Sequence, residues 1–156
     1  MHNVMSMTLQ KYTIEPLIGV GPIKLGMNRN DVQNIMPEAS KQFMKTRNSS
    51  VETDAFHKNC FQVFYNHQTV CVEYIELSRR CPFIADIFGV DPFGSLAEEL
   101  IQYLSEKAKF DKSDPELGYS YIFPEIELSV WRPSIEDKHF STIGIGVKGY
   151  YSNKDS

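Results

Sequence analysis

The chain has 156 residues, of which 42% are hydrophobic and 23% are charged, so it is long enough to bury one core without a disulfide or a metal ion. Sixteen Lys and Arg stand against twenty Asp and Glu, for a net charge of -4. The basic residues are scattered, which argues against nucleic acid as a partner and favours a basic protein. No apolar run approaches the roughly 18 residues that span a membrane, and residues 1–11 lack the features of a secretory signal. We therefore expect no membrane partner and a cytoplasmic location.

The first predicted elements are a short strand at residues 12–14 and a helix that begins at about Asn28. The Asn28 side chain can accept hydrogen bonds from the free amides of the first turn, and Asp31 places negative charge near the positive end of the helix. Pro37 ends the helix because its ring cannot continue the hydrogen-bond pattern. The predicted apolar face consists of Val32, Ile35 and Met36.

A polar, turn-rich segment at residues 47–54 separates this helix from a predicted hairpin. Aromatic and β-branched residues indicate strands at residues 60–65 and 69–77, with residues 66–68 as the turn. Glu73 breaks the alternation of the second strand because it falls on the more apolar face. A strand end, a bulge and a binding contact are all open explanations for this residue.

The clearest helix of the chain follows a turn-forming segment. Ser95 and Glu98 match the S-x-x-E capping box that marks the start of a helix. An apolar stripe at helical spacing then predicts a face that packs in the core. The residues of this stripe are Leu96, Leu100, Ile101, Leu104 and Ala108.

Three β segments are predicted after this helix, at residues 119–123, 125–132 and 140–148. Alternation in the middle segment predicts one apolar face, suited to cover by a helix, and one polar face. The polar face would carry Glu125, Glu127, Ser129 and Trp131.

Gly144 and Gly146 lie in the last of these segments. Their spacing does not match a phosphate-binding loop, and no helix follows that could hold an anion. Glycine inside a strand permits a bulge or the close approach of another backbone, which is the role that we predict for this pair.

The three cysteines, Cys60, Cys71 and Cys81, contain no C-x-x-C pair of the kind found in zinc sites or redox couples. They are predicted to be buried thiols in a reducing compartment. Cys60, His57 and His67 could be drawn as a metal cluster, but ordinary surface histidines near a hairpin are the simpler interpretation. The sequence predicts no metal and no cofactor.

Two four-residue segments occupy equivalent places in the chain. Leu25-Gly-Met-Asn28 precedes the first helix and Phe88-Gly-Val-Asp91 precedes the second, and antiparallel strands follow each helix. We therefore predict an α+β fold of tandem helix-plus-antiparallel-sheet units, joined in one domain with the helices on one face of the sheet. The domain would span residues 12–151, with halves at 12–80 and 81–151, between flexible ends at 1–11 and 152–156.

The segment Gly19-Val-Gly-Pro-Ile-Lys-Leu-Gly-Met27, followed by Asn-Arg-Asn-Asp-Val32, resembles the GxGPIxLGMxxxEV opening of a group of small bacterial proteins. Many of these are immunity proteins encoded beside polymorphic or contact-dependent toxins. The Gly-Met step and the helix after it are also similar to the repeat of the β-lactamase inhibitor proteins and of small outer-membrane assembly lipoproteins. This chain departs from the lipoproteins in lacking a lipobox, and Asp31 stands where the usual residue is Glu.

The resemblance implies a binding protein and no enzyme: a cytoplasmic immunity protein that neutralises a cognate toxin domain, often a basic nuclease. Aromatic anchors and acidic charge suit such a partner. The candidate partner-binding residues are Glu125, Glu127, Trp131, Tyr150, Tyr151 and Glu73.

Two other functions stay open. A hydrolase would need a carboxylate and His139 or His57 to converge in a deep pocket. An isolated apolar groove between helix and sheet would favour a ligand-sensing or envelope-assembly module. No catalytic residue is predicted, and the sequence leaves the oligomeric state open.

Overall fold

The computed structural model describes residues 9–36, 41–44 and 52–151, with the backbone alone for 41–44. The strands and helices follow one another in the order β1 (Gln10–Glu15), β2 (Gly19–Val20), β3 (Ile23–Lys24), α1 (Arg29–Ile35), β4 (Lys41–Met44), β5 (Glu52–Phe56), β6 (Phe61–Tyr65), β7 (Val72–Ser78), β8 (Phe83–Ile87), α2 (Ala97–Ser105), β9 (Ser120–Phe123), a short 3-10 helix (Pro124–Ile126), β10 (Leu128–Trp131) and β11 (Thr142–Gly146).

Within the described residues the strands form two sheets. The larger has seven strands in the order β4-β5-β6-β7-β11-β10-β9, so two meanders meet through their last strands, β7 and β11. The smaller has the order β3-β2-β1-β8, and its β1 and β8 are parallel. Every other pairing between these strands is antiparallel. The predicted α+β class is confirmed, although sheet dominates and helices are few.

One hydrophobic core lies against a single face of the seven-stranded sheet, and both helices and the smaller sheet contribute to it. Its contributors include Tyr12 and Ile14 from the smaller sheet, Leu100 and Leu104 from α2, and Ile75 from the larger sheet. The opposite face of the larger sheet, here called the outer face, carries the alternate side chains of β10 and β11.

Helix α1 begins as predicted, since the Asn28 Oδ1 accepts a hydrogen bond from the Asp31 amide at 2.9 Å. Val32 and Met36 are buried, but Ile35, the last helical residue, is exposed. The prediction that Ile35 belongs to the apolar face is therefore wrong, because only one edge of this seven-residue helix contacts the core. Pro37 lies outside the described residues.

Helix α2 starts at Ala97, so the predicted capping box of Ser95 and Glu98 is wrong. The Ser95 hydroxyl instead donates to the Asp91 carbonyl oxygen at 2.7 Å and closes the preceding turn. The stripe is confirmed in part: Leu100 and Leu104 are buried and Ile101 is half-buried, but Leu96 is exposed and Ala97 is buried in its place. Ala108 is buried too, but it lies beyond the end of α2 at Ser105.

The predicted hairpin is present as β6 and β7, and Glu73 is its bulge. Phe64 pairs with Tyr74 while Tyr65 pairs with Val72, so Glu73 is the extra residue on β7. The bulge turns Val72 toward the core beside Ile75. Of the three explanations left open for Glu73, the structural one of a bulge is confirmed.

The prediction of unpaired cysteines is wrong, because Cys60 and Cys81 form a disulfide with a Cα–Cα distance of 5.7 Å. Pairing of β6 with β7 brings these ends of the hairpin together, and the Ser78 amide donates to the Cys60 carbonyl oxygen. The spacing of cysteines along the sequence does not reveal which of them strand pairing brings together. Cys71 is free and half-buried.

The disulfide also removes the Cys60 thiolate that a metal cluster with His57 and His67 would need. His57 is not a surface histidine: it is buried, and its Nε2 lies 2.7 Å from the Tyr12 hydroxyl. His67 is exposed.

The two segments of the proposed repeat share one backbone feature. Gly26 has a φ of 88° and Gly89 a φ of 89°, values that residues other than glycine rarely adopt. The internal duplication stays a prediction.

Candidate functional site

The outer face of the larger sheet carries three of the six residues that we predicted to bind a partner, namely Trp131, Tyr150 and Tyr151. Leu128 and Val130 of β10 are buried on the core side, so Ser129 and Trp131 lie on the outer side. Ser129 pairs with Gly144, which pairs in turn with Glu76 of β7. This row of residues forms the floor of the site.

Two glycines of β11 make room for aromatic rings. The Tyr74 side chain lies directly over Gly144, and a Cβ added to Gly146 would lie 2.7 Å from the Tyr150 Cβ and Cγ. The predicted close approach therefore exists, but the approaching groups are tyrosine side chains and not another backbone.

Three tyrosines and a serine form a connected group on this floor, which we call the tyrosine cluster: Tyr74, Tyr150, Tyr151 and Ser129. The rings of Tyr74 and Tyr150 stack with their centroids 4.6 Å apart. The Tyr151 hydroxyl lies 2.9 Å from the Tyr74 hydroxyl and 2.7 Å from the Ser129 Oγ. The Tyr74 hydroxyl lies 2.9 Å from that same Oγ, so three oxygens form a closed triangle of hydrogen-bond distances.

Glu127 holds the chain that carries Tyr150 and Tyr151. Its carboxylate accepts hydrogen bonds from the backbone amides of Gly149, at 2.6 Å, and Tyr151, at 3.0 Å. The residue is only 4% exposed, so the prediction that Glu127 presents its charge to a partner is wrong.

A break in the predicted middle strand explains this error. Pro124 opens a 3-10 helix, since its fixed φ suits a helical first turn. Glu127 ends that helix with a φ of 51° and turns inward before β10 begins at Leu128. Alternation therefore does not extend back through Glu127 and Glu125.

The remaining predicted residues fall at different distances from the tyrosine cluster. Glu73 lies on the bulge beside it, where its charge helps to raise the pKa of Tyr150. Trp131 lies two residues beyond Ser129 on the same face and is 40% exposed. Glu125 is separate: its exposed carboxylate accepts from the Lys109 amide at 3.1 Å, on the connection between α2 and β9.

Burial controls the ionisation of the tyrosine cluster. Loss of solvent raises the pKa of Tyr151 to about 12, and it also raises the pKa of Tyr74 and of Tyr150. The three phenols are therefore neutral at physiological pH, and the hydroxyls act as hydrogen-bonding groups without charge.

This arrangement predicts an alkaline loss of stability. In the unfolded chain the phenols ionise near pH 10, so between pH 10 and about 12 the folded state binds more protons and the free energy of unfolding falls as pH rises. We expect a slope on the order of 1 kcal/mol per pH unit for each buried phenol. Urea unfolding at several pH values measures it. Replacing Tyr150 and Tyr151 with Phe should make the slope less steep without removing it, because burial also raises the pKa of Tyr74 and of Tyr65. An unchanged slope would assign the effect to other groups.

No match to this chain is found among protein-family models, curated protein sequences or solved structures. In the part of the chain that the structure describes, no three His, Cys, Asp or Glu side chains are placed to hold a metal ion. No helix in that part has both the length and the apolar character needed to cross a bilayer.

A second polar cluster was not predicted from the sequence. Asp54 of β5 is fully buried, and its carboxylate accepts from Arg29 at 2.9 and 3.1 Å, from Gln33 at 3.1 Å and from the Tyr65 hydroxyl at 2.7 Å. The segment at residues 47–54 was expected to be a polar turn, and that is wrong from Glu52 onward. The carboxylate is saturated by its partners, so this cluster serves stability.

Proposed function

We propose that this chain is an immunity protein that binds and neutralises a cognate bacterial toxin domain by contact with its outer face. The resemblance of residues 19–32 to the opening of such proteins supports this function. The observation that carries it is the exposed Trp131, which shares one sheet face with the tyrosine cluster.

The outer face has the properties of a binding surface. Trp131 is exposed and the Tyr150 and Tyr151 rings are half-buried, whereas Tyr74 is only 7% exposed, so the first three are the rings that a partner could contact. Such rings have few rotatable bonds, so little entropy is lost when a partner immobilises them. The hydrogen bonds of Glu127 and Ser129 fix the tyrosine positions before any partner arrives. Glu73 and Glu76 add negative charge on β7, which favours encounter with a basic toxin domain.

Growth protection tests the function. The immunity function predicts that a toxin domain is encoded beside this gene, and that cells producing that domain grow only when they also produce this chain. Trp131→Ala should weaken binding by about 30-fold or more, since buried Trp anchors dominate interface energies. Glu125→Gln is the matched control, because Glu125 lies away from the outer face, and it should protect fully. Failure of the unaltered chain to protect would contradict the immunity function.

The disulfide favours a second candidate, the envelope-assembly module. Disulfides persist in oxidising compartments and are rare in the cytoplasm, where an immunity protein to an internal toxin would act. Alkylation of thiols in intact cells separates the two. Modification of Cys60, Cys71 and Cys81 alike would support the cytoplasmic immunity protein. Modification of Cys71 alone would support the envelope module.

A further inference from the structure

We propose that an apolar patch at one end of β9 and β10 is the docking surface for a basic protein partner. The patch consists of Leu117, Tyr119, Trp131 and Ile135 and is called the sheet-end patch. This inference deepens the proposed function, on which it rests, because it extends the surface from Trp131 to three residues that lie off the outer face.

The four side chains are exposed and lie on adjoining segments. Their exposed fractions are 38% for Leu117, 43% for Tyr119, 40% for Trp131 and 54% for Ile135. Trp131 pairs across the sheet with Ser120, the residue after Tyr119. A Cβ on Gly118 would lie 3.2 Å from the Ile135 side chain. Exposed apolar residues that collect at one place typically mark an interaction site.

Arg132 holds the two loops of the patch together from beneath. It is 4% exposed, and its Nε donates to the Gly118 carbonyl oxygen at 2.9 Å. Its Nη1 donates to the Asp137 carbonyl oxygen at 2.8 Å, and its guanidinium lies 5.2 Å from the centre of the Phe140 ring. One buried side chain thus ties residues 116–119 to residues 133–138.

Each loop is also closed by its own aspartate. Asp114 accepts from the Glu116 amide at 2.9 Å and from the Ser120 hydroxyl at 2.9 Å. Asp137 accepts from the Ser134 amide at 3.2 Å. A partner would therefore meet apolar side chains whose backbone is already ordered, which lowers the entropy lost on binding.

Strand addition does not account for the exposed residues. β9 is an edge strand, but the Ser120 amide donates to the Glu116 carbonyl oxygen, and the Ile122 carbonyl oxygen accepts from the Asp111 amide. Because these outward backbone groups are taken, a partner would contact side chains and would not extend the sheet.

The charges around the patch select a basic occupant. Residues 114–119 and 131–138, the two loops at the patch, carry four carboxylates and two cations, of which Arg132 is buried. Asp114 accepts a hydrogen bond from the hydroxyl of Ser120, the residue that pairs with Trp131 across the sheet. Glu116 and Glu136 are exposed at the rim. Lysine or arginine side chains around an apolar anchor would complement this surface, and an acidic partner would be repelled.

Peptide mapping tests the surface without the toxin. The probe is a short peptide that alternates Leu with Lys, added to the isotopically labelled chain and followed by two-dimensional NMR. We expect shift changes to concentrate at the sheet-end patch and to disappear when Glu replaces each Lys. Changes elsewhere, or equal changes with the acidic peptide, would overturn the proposal. Shifts that depend on protein concentration alone would assign the patch to a second copy of this chain and also overturn it.

The second test uses the toxin domain that the immunity function predicts beside the gene. The double variant Tyr119→Ser with Ile135→Ser should bind it about 30-fold or more weakly. Ile84→Ser, an exposed apolar residue of β8, is the control and should change binding by no more than about twofold. Thermal unfolding of each variant checks folding.

The two tests separate the two proposals. If the double variant binds the toxin domain as the unaltered chain does, the sheet-end patch is wrong and the immunity function stands. If the basic peptide maps to the patch but the unaltered chain does not bind the toxin domain, the immunity function is wrong and the docking surface stands.

Discussion

Asp54→Ala should lower the free energy of unfolding by about 3–5 kcal/mol, which is typical when one partner of a buried ion pair is removed. The carboxylate of Asp54 is 0% exposed and accepts two hydrogen bonds from the Arg29 guanidinium. Without this carboxylate, the Tyr65 hydroxyl has lost its hydrogen-bond acceptor. The positive charge of Arg29, which is partly buried, has also lost the negative charge that Asp54 places beside it. Urea unfolding monitored by circular dichroism measures the loss, provided that the denaturant slope stays constant.

Two controls set the scale of this effect. Tyr65→Phe removes a single hydrogen bond to the same carboxylate and should cost about 1–2 kcal/mol. Lys24→Ala breaks the ion pair with Glu15, whose side chains are both about half exposed and 3.7 Å apart, and should cost about 1 kcal/mol or less. If Asp54→Ala cost no more than Lys24→Ala, the buried pair would contribute no more than a surface one.

Asp54 also shows why part of the fold could not be predicted. Its neighbours in sequence are polar, so local composition indicates a turn. The residue lies on the core face because Arg29 and Gln33 arrive there from α1, more than twenty positions earlier in the chain. Alternation and capping carry information over a few residues, so they predicted the helix start at Asn28 and the hairpin, but they carry none about such distant partners.

In the candidate site, too, local patterns predicted some positions, and positions that depend on distant partners were missed. Trp131 was placed on the correct face because period-2 alternation holds within β10. Glu127 was not, since a proline-initiated turn and a left-handed residue interrupt the period just before that strand. The pairing of its carboxylate with the Gly149 and Tyr151 amides joins segments 22 and 24 residues apart. Glycines at alternate positions of β11 were the visible signal that rings would cover this face.

Loss of the Cys60–Cys81 disulfide should have the second large effect. Its sequence separation is 21, and a loop of about this length restricts the unfolded chain by about 3 kcal/mol in the chain-entropy model. We therefore expect the double variant Cys60→Ser with Cys81→Ser to unfold at lower urea concentration. A reductant should lower the urea concentration at which the unaltered chain unfolds by a similar amount. Cys71→Ser is the matched control, because Cys71 is free and half-buried, and it should change stability little.

The position of the disulfide explains why its loss should lower the free energy of unfolding. Cys60 precedes β6 and Cys81 follows β7, so the bridge closes the end of the hairpin opposite its turn. The bridge removes the unfolded states in which the two strands separate, and it connects the larger sheet to β8 of the smaller one. If the reduced chain is as stable as the oxidised one, strand pairing and the core alone hold these elements together. Cys60 and Cys81 would then be compatible with a reducing cytoplasm, the compartment in which the proposed immunity protein would work.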